Sequence, residues 1–320
     1  MKNVYISESD GHSIENIPMK SICIAYLILV HRLPNQFKKL FNAIYDPSNF
    51  YLINIDRKAG DEIEKEVTDF LNKYPNVRIL KSENVIWGGY SMVQAELDGM
   101  KYLLEMNAKW DYFINLSGQD YPLKSQKIIK DFLSGNNGKN YIKVADQEKI
   151  RPETMNRIEN YFEETGDKIS DKTHKREFMK DVIPYIGGQW MILTRDCCEF
   201  ISNNIEVKRF EDYYLNTLIA DESFFQTVLM NTSFDGILIN DDKRAIIWIP
   251  DGDIKLRPKT FTETDLDFLQ TGNHLFARKF DDNVDNKIIE GIKIQYDIPF
   301  KTLVKVADIG NLSENFKHLN

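Results

Sequence analysis

The sequence predicts an α/β protein whose mainly parallel central sheet is flanked by helices. Apolar, partly β-branched runs at residues 21–30 and 50–55 indicate buried strands. Segments 36–44 and 61–74 follow them and place their apolar residues at helical spacing. A short strand pattern at 77–80 completes a β-α-β-α-β order, which is typical of parallel sheets with helices on both faces.

The rest of the chain continues this alternation. Further helices are predicted at 93–106, 128–133, 196–203, 222–230 and 264–271. Further strands are predicted at 112–115, 190–193 and 245–249, and residues 276–280 follow the last helix.

The chain shows no internal repeat, low-complexity tract or linker, so a single domain over residues 21–282 is expected. Residues 1–20 form a polar N-terminal lead-in, and 283–320 are assigned to a C-terminal extension. Residues from about 148 to 181 are highly charged and lack apolar rhythm, so they are predicted to be an insertion or a mobile region.

Composition narrows the function classes. A net charge of -8 disfavours a nucleic-acid partner, because phosphate backbones need a basic surface. Three cysteines, two of them adjacent, make no disulfide framework or zinc spacing, which favours a reduced, intracellular protein. The longest apolar run, 22–30, is shorter than the roughly 20 residues that span a bilayer. The polar N-terminus is unlike a signal peptide, so any membrane contact would be peripheral.

Polar residues follow two early strands at 30–32 and 56–58, where ligands of α/β sheets bind. Neither a Gly-x-Gly-x-x-Gly turn nor a Gly-x-x-x-x-Gly-Lys loop is present. Many sugar-nucleotide transferases carry an Asp-x-Asp pair at the end of an early strand, which holds a divalent cation on the diphosphate. In this sequence the corresponding strand ends in Asp56-Arg57-Lys58. The pairs Asp241-Asp242 and Asp281-Asp282 are predicted to be turn and surface acids.

A diphosphate bound without metal requires side-chain cations, and Arg257 and the pair Arg278-Lys279 are candidates. A solvated charge pair beside core Phe residues is the alternative. Glu222 is either a cap for the helix that follows it or a general base near a cleft. Gly88 and Gly89 permit positive φ or close backbone approach, and Ser91 is a candidate N-cap.

Seven colinear segments resemble the core-2/I-branching β-1,6-N-acetylglucosaminyltransferase family, which also includes the peptide O-xylosyltransferases. They run from about residue 22 to 281 and are IAYLILVH at 24–31, IDRK at 55–58, WGGYSMVQA at 87–95, NLSGQDYPLK at 115–124, GGQW at 187–190, Asp221-Glu222, and HLFARKF at 274–280. The first twenty residues and the tail after Asp282 are outside the resemblance.

The resemblance implies a GT-A-type, Rossmann-like nucleotide-sugar fold and an inverting reaction without a metal or other cofactor. It places the general base on Glu222 and the diphosphate on Arg257 and Lys279. The donor side also includes Val30, His31, Asp56 and Ser91. The acceptor side includes Asp120, Glu159, Trp190 and Trp248.

The expected reaction is transfer of a sugar from a UDP-sugar donor to a hydroxyl of a glycan or lipid-linked saccharide, which forms a β-linkage. UDP-GlcNAc is favoured and UDP-xylose comes next. A glycoside hydrolase or retaining enzyme using Asp120 and Glu222 stays an alternative, as does an inactive carbohydrate-binding homologue. The chain lacks the membrane anchor and many cysteines of animal members, so a bacterial-type enzyme of polysaccharide biosynthesis is expected. Its expected location is the cytoplasm, with the inner face of the membrane as an option.

Overall fold

A computed structural model describes residues 4–5, 21–81, 84–106, 108–251, 255–293 and 296. The predicted lead-in lies outside these residues except at 4–5, and the predicted C-terminal extension lies outside them from 294 onward except at 296. No helix within the described ranges has both the length and the apolarity that crossing a bilayer requires.

Strands and helices alternate over the first half of the chain, as the sequence predicts. The strands are β1 Val4–Tyr5, β2 Ile24–Val30, β3 Phe50–Ile55, β4 Val77–Lys81, β5 Tyr112–Ser117, β6 Asp120–Pro122, β7 Lys139–Ile142, β8 Ala145–Asp146, β9 Asn160–Tyr161, β10 Glu164–Thr165, β11 Lys168–Ile169, β12 His174–Lys175, β13 Tyr185–Ile186, β14 Met191–Thr194, β15 Ile237–Ile239, β16 Arg244–Ile246, β17 Trp248–Asp251, β18 Lys255–Pro258 and β19 Phe276–Arg278. The helices are α1 Pro34–Ile44, α2 Asp61–Leu71, α3 Ser91–Glu105, α4 Gln126–Gly135, α5 Gln147–Ile150, α6 Asn156–Glu159, α7 Arg195–Asn203, α8 Ile205–Tyr214, α9 Phe224–Asn231, α10 Leu266–Thr271 and α11 Ile288–Lys293.

The central sheet has eight strands in the order β1-β15-β7-β14-β5-β2-β3-β4. Only β14 runs antiparallel to its neighbours, so the predicted mainly parallel sheet is confirmed. The register aligns Val30 with Ile55 and Leu29 with Ser117, which brings the carboxyl ends of β2, β3 and β5 to one edge.

Both faces of the sheet are covered, which explains why β2 is apolar throughout. Its alternate side chains enter two different cores: Tyr26 and Ile28 face one, and Ala25 and Leu27 the other. The first core includes buried residues of α1, α2, α4, α10 and α11, and the second includes those of α3, α7, α8 and α9. Helix α11 begins at Ile288, beyond the predicted domain limit of 282, and it contributes three buried isoleucines to the first core.

A second sheet has the order β16-β19-β6, and its strand β6 begins at Asp120, directly after the carboxyl end of β5. Its register places Arg278 opposite Asp120 on one side and Ile246 on the other. The single strand predicted at 245–249 is wrong, because β16 ends at Ile246 and β17 pairs with β18 in a separate hairpin. Hydrophobicity alone does not show that an apolar run changes partners halfway.

The charged residues 148–181 form short helices and strands, which the sequence did not predict. Strands β10 and β11 make a hairpin, and β9 pairs with β12. Helix α8 and the short strands β7 and β15 were also missed, because each carries only a brief apolar pattern.

Candidate functional site

The carboxyl edge of the sheet brings three of the predicted donor residues together. The Asp56 amide donates to the Val30 carbonyl over 2.8 Å, which joins the turns after β2 and β3. Asp56 then caps the short turn that follows, because its carboxylate accepts from the Lys58 amide at 2.9 Å. Val30 is buried, whereas His31 directly after it is exposed.

Four cations lie near the same edge, and we name Arg32, Arg257, Arg278 and Lys279 the cation cluster. Partial burial and the neighbouring guanidinium groups lower the pKa of Lys279 to about 8, although Asp281 acts in the opposite direction. Desolvation, then Arg278 and Arg32, lower the pKa of His31 to about 4. The His31 side chain stays exposed to solvent, and the positive charges of Arg278, Arg32 and Lys279 act on it. The edge is therefore prepared for an anion.

Members of the cation cluster differ in their partners. Arg278 donates to buried Asp120 at 2.9 Å. Arg32 donates to Gln119 at 3.0 Å, and Arg257 lies 3.5 Å from Asp251 with about half of each side chain exposed. No hydrogen-bond or ion-pair acceptor for the Lys279 ammonium occurs among the described residues, so its charge is available to a ligand.

Asp120 serves the scaffold in this arrangement. It is fully buried, Oδ1 accepts from Arg278, and Oδ2 accepts from the Ser117 amide at 3.0 Å. Both carboxylate oxygens are therefore engaged without an acceptor sugar.

Trp190 is buried against two guanidinium groups. Its ring lies 4.9 Å from the Arg278 guanidinium and 5.5 Å from that of Arg244. Trp190 thereby connects the segment 187–190 to the cation cluster, and an acceptor would reach this ring only where those groups leave it uncovered.

Glu222 ends a single 3-10 turn, Ala220–Glu222, before α9. Its Oε2 accepts from Arg157 over 2.8 Å, and each side chain keeps about a quarter of its surface exposed or slightly less. We find no donor to Oε1 in the described part of the chain. The main-chain carbonyl of Glu222 accepts from the Gly187 amide at 2.8 Å.

The helix-cap interpretation of Glu222 is wrong. Helix α9 begins at Phe224, its N-cap is Ser223, and no side chain caps it. The neighbouring Asp221 is buried, and burial together with the Glu222 charge raises its pKa to about 7. The carboxylate of Glu222 is thus held by Arg157 rather than by helix backbone.

The loop between β4 and α3 lies beside this turn. Gly88 has φ of 77°, a conformation that glycine adopts without strain, and its carbonyl accepts from the Ile219 amide at 2.6 Å. Ser91 was predicted to be the N-cap of α3. It is instead the first residue of that helix, and the N-cap is Tyr90. The Ser91 hydroxyl accepts from the preceding Ile86 amide at 2.8 Å, which closes the loop.

A cavity with a volume of about 1080 Å³ lies beside this loop. Ser91 lines it, together with polar residues of α3 and the β10–β11 hairpin, but Glu222, Arg257 and Lys279 do not. Glu164 of that hairpin accepts from the Ser91 amide at 2.8 Å. The cavity also reaches the carboxyl end of β3, because Asn54 and Arg57 line it, whereas the base and the diphosphate residues that the resemblance implies lie outside its lining.

The remaining acceptor-side predictions lie on the surface. Trp248 is 46% exposed on β17, which leaves its ring available for stacking. Glu159 is also exposed at the end of α6, and Arg157 on the same helix is the residue that reaches Glu222.

Sequence reasoning missed Arg157 and Glu164 as site residues, and it placed Arg32 at a ligand-binding strand end without assigning it a role. Arg32 had a signal, because it follows a strand end directly. Arg157 and Glu164 lie within the charged segment 148–181, whose composition does not distinguish these side chains from its solvated charges. Asp242 is also buried, accepting from the Arg244 amide, so its prediction as a surface acid is wrong.

The family model described as "Core-2/I-Branching enzyme" matches residues 24–271. The chain is 31% identical to xylosyltransferase 2 of Homo sapiens over 285 residues, which cover 83% of this chain and 33% of that protein. It is 30% identical to xylosyltransferase 1 of Rattus norvegicus over 298 residues, 88% of this chain and 36% of that protein. The chain thus spans about a third of the length of these curated relatives. With the matched region covering most of the fold, from β2 to α10, the chain belongs to the Core-2/I-branching enzyme family of glycosyltransferases.

Proposed function

We propose that the protein is an inverting, metal-independent glycosyltransferase of GT-A type that uses a UDP-sugar. The observation that carries the proposal is the Glu222 carboxylate. Arg157 orients it through one oxygen, and the other oxygen accepts from no donor in the part of the chain that the structure describes. A base needs this combination of fixed geometry and a free lone pair. Family membership and the cation cluster support the same reaction.

In the proposed reaction Glu222 removes the proton of an acceptor hydroxyl. That oxygen forms a bond to the anomeric carbon of an α-linked donor while the bond to the diphosphate breaks, which gives a β-linkage. The leaving UDP keeps the bonding electrons, and Lys279 and Arg257 stabilise its negative charge. The His31 and Asp56 edge would hold the nucleoside, and exposed Trp248 would stack on the acceptor sugar.

The donor sugar is part of the proposal. Similarity to the two xylosyltransferases favours UDP-xylose, whereas the motif resemblance favours UDP-GlcNAc. A glycan or lipid-linked saccharide would be the acceptor. The proposal includes a cytoplasmic location, with the inner face of the membrane as an option, and the three free cysteines support a reducing compartment.

Glycoside hydrolysis is the competing hypothesis for the activity, and it requires two carboxylates on opposite sides of the glycosidic bond. Asp120 was its second candidate. Because Asp120 is fully buried and engaged at both oxygens, the geometry favours glycosyl transfer.

Glu222→Gln tests the proposal. UDP release and product formation are measured with UDP-xylose and UDP-GlcNAc and a panel of alkyl glycosides, in EDTA and after Mn²⁺ addition. We expect kcat to fall about 10²–10⁴-fold while UDP affinity changes little, because the base acts only on the acceptor proton. Product NMR should show the inverted anomer.

Exposed Glu199 on α7 provides the matched control, and Glu199→Gln should keep full activity. Substantial transfer by Glu222→Gln would overturn the assignment of the base. Activity that disappears in EDTA and returns with Mn²⁺ would overturn metal independence.

A further inference from the structure

A buried polar cluster lies behind Trp190 and consists of Glu96, Asn115 and Gln189. Glu96 on α3 and Asn115 on β5 are both fully buried. Oε1 of Glu96 accepts from the Asn115 amide group at 2.7 Å and from the Gln189 amide group at 3.1 Å. Two donors from different elements therefore converge on one carboxylate oxygen.

Asn115 connects the same cluster to the main chain. Its amide nitrogen donates to the Gln189 carbonyl at 2.9 Å, and its oxygen accepts from the Met191 amide at 2.9 Å. Gln189 is thus held through both its side chain and its backbone.

The segment 187–190, which this cluster anchors, contacts both halves of the proposed site. At one end the Gly187 amide donates to the Glu222 carbonyl at 2.8 Å. At the other end Trp190 packs against Arg278 of the cation cluster. A displacement of this segment would move the base and the cations relative to each other.

Burying a carboxyl group in this position is costly without a compensating role. The second oxygen of Glu96 has no hydrogen-bond partner among the described residues. Burial, reinforced by nearby Asp221, raises the pKa of Glu96 well above its ordinary value. Glu96 is therefore suited to act as a neutral acceptor and not as an ion-pair partner.

We propose that Glu96 is a positioning residue for glycosyl transfer, which fixes the segment 187–190 through Asn115 and Gln189 and thereby aligns Glu222 with the cation cluster. The inference rests on the proposed function, because the alignment matters for that reaction. It assigns to Glu96 a role through hydrogen-bond geometry, without contact with substrate.

Two substitutions separate geometry from charge. Glu96→Gln keeps a carbonyl oxygen for both donors and should retain kcat within about twofold, since a neutral amide resembles the neutral acid. Glu96→Leu leaves the Asn115 and Gln189 donors without their acceptor. We expect kcat to fall about 10–100-fold while KM for the donor changes less than about threefold, because small misplacements act on the reacting geometry.

The control is Asn49→Leu. Like Glu96→Leu, it removes a buried polar side chain, but one that lies far from the segment 187–190. Asn49 accepts from the Ile24 amide at 3.0 Å and donates to Gln126 at 2.9 Å. These contacts lie at the amino ends of β2 and β3, away from the carboxyl edge. Folding of all variants is compared by circular dichroism and thermal unfolding. A folded Glu96→Leu with unchanged kcat, or an equal kcat loss in Asn49→Leu, would overturn the proposal.

Hydrogen exchange of the peptide containing 187–191 tests the positioning independently of activity. Exchange should become faster in Glu96→Leu and stay unchanged in Glu96→Gln and Asn49→Leu. If the wild-type protein transfers no sugar, the proposed function fails while this measurement still decides whether Glu96 holds the segment. Unchanged exchange in Glu96→Leu, or a Glu96→Gln as impaired as Glu96→Leu, counts against the inference.

Discussion

Arg278 and Lys279 are adjacent in the sequence but have different surroundings. Arg278 faces Asp120 across the small sheet and packs on Trp190, so its charge is already matched. Lys279 lies among other cations and has its pKa lowered to about 8. A diphosphate would supply the negative charge that Lys279 needs, which makes its protonation part of ligand binding.

We expect UDP affinity to decrease above pH 8, by up to about tenfold per pH unit. The free protein loses the Lys279 proton near pH 8, whereas the bound anion raises that pKa, so binding takes up a proton in this range. Calorimetric titration from pH 7 to 9.5 measures the effect.

Lys279→Arg is the matched comparison, because a guanidinium stays protonated throughout this range. Ionisation of UDP itself affects both proteins equally. Identical pH profiles for the wild-type protein and Lys279→Arg would contradict the role given to the Lys279 proton.

At the scale of elements, the segment 187–190 depends on a close approach of two main chains. A Cβ atom at Gly187 would collide with the Lys143 carbonyl. A backbone atom cannot turn away as a flexible side chain can, so only glycine fits without displacement.

Gly187→Ala should lower the free energy of unfolding by about 1–3 kcal/mol, in the range typical of core overpacking. It should also reduce kcat, because the Gly187 amide binds the Glu222 carbonyl. Denaturant unfolding and the UDP-release assay measure the two effects.

Gly135→Ala is the control for that substitution. Gly135 is the last residue of α4, and a Cβ atom there would meet no other atom within 4 Å. Gly135→Ala should therefore leave the free energy of unfolding unchanged or raise it by about 0.5–1 kcal/mol. Equal behaviour of the two alanine variants would refute the close-approach argument.

At the scale of the whole molecule, buried carboxyl groups connect stability to pH. Asp221 has a pKa of about 7 in the folded protein, against about 3.9 for an unperturbed aspartate. Between these values the folded state holds the additional proton, so the free energy of unfolding decreases as the pH rises from about 4 to 7.

Asp221→Asn removes this contribution. Relative to the wild-type protein, the variant should gain at least about 1 kcal/mol of stability on going from pH 5 to pH 8. Urea unfolding at both pH values tests this, with exposed Asp235→Asn as control. A constant difference between wild type and Asp221→Asn across this range would refute the coupling.

Strong local patterns of apolar residues were sufficient to predict much of the fold. The predicted strand at 50–55 matches β3, and α1, α2 and α3 begin within about two residues of their predicted starts. Weak or divided patterns were not sufficient. β7 and β15 are brief, and β16 and β17 share one apolar run while pairing with different partners.

The sequence by itself determined the α/β class, the mainly parallel order and the family, because apolar periodicity and colinear motifs are local properties of the chain. Tertiary structure decided which charges meet. It paired Glu222 with Arg157, joined Asp120 to Arg278 and buried Glu96 behind Trp190. These partners are separated by 65 to 158 residues for the two ion pairs and by 93 for the Glu96–Gln189 contact. The local spacing of residues carries no information about side chains that lie far apart in the sequence and meet only when the sheet and helices pack.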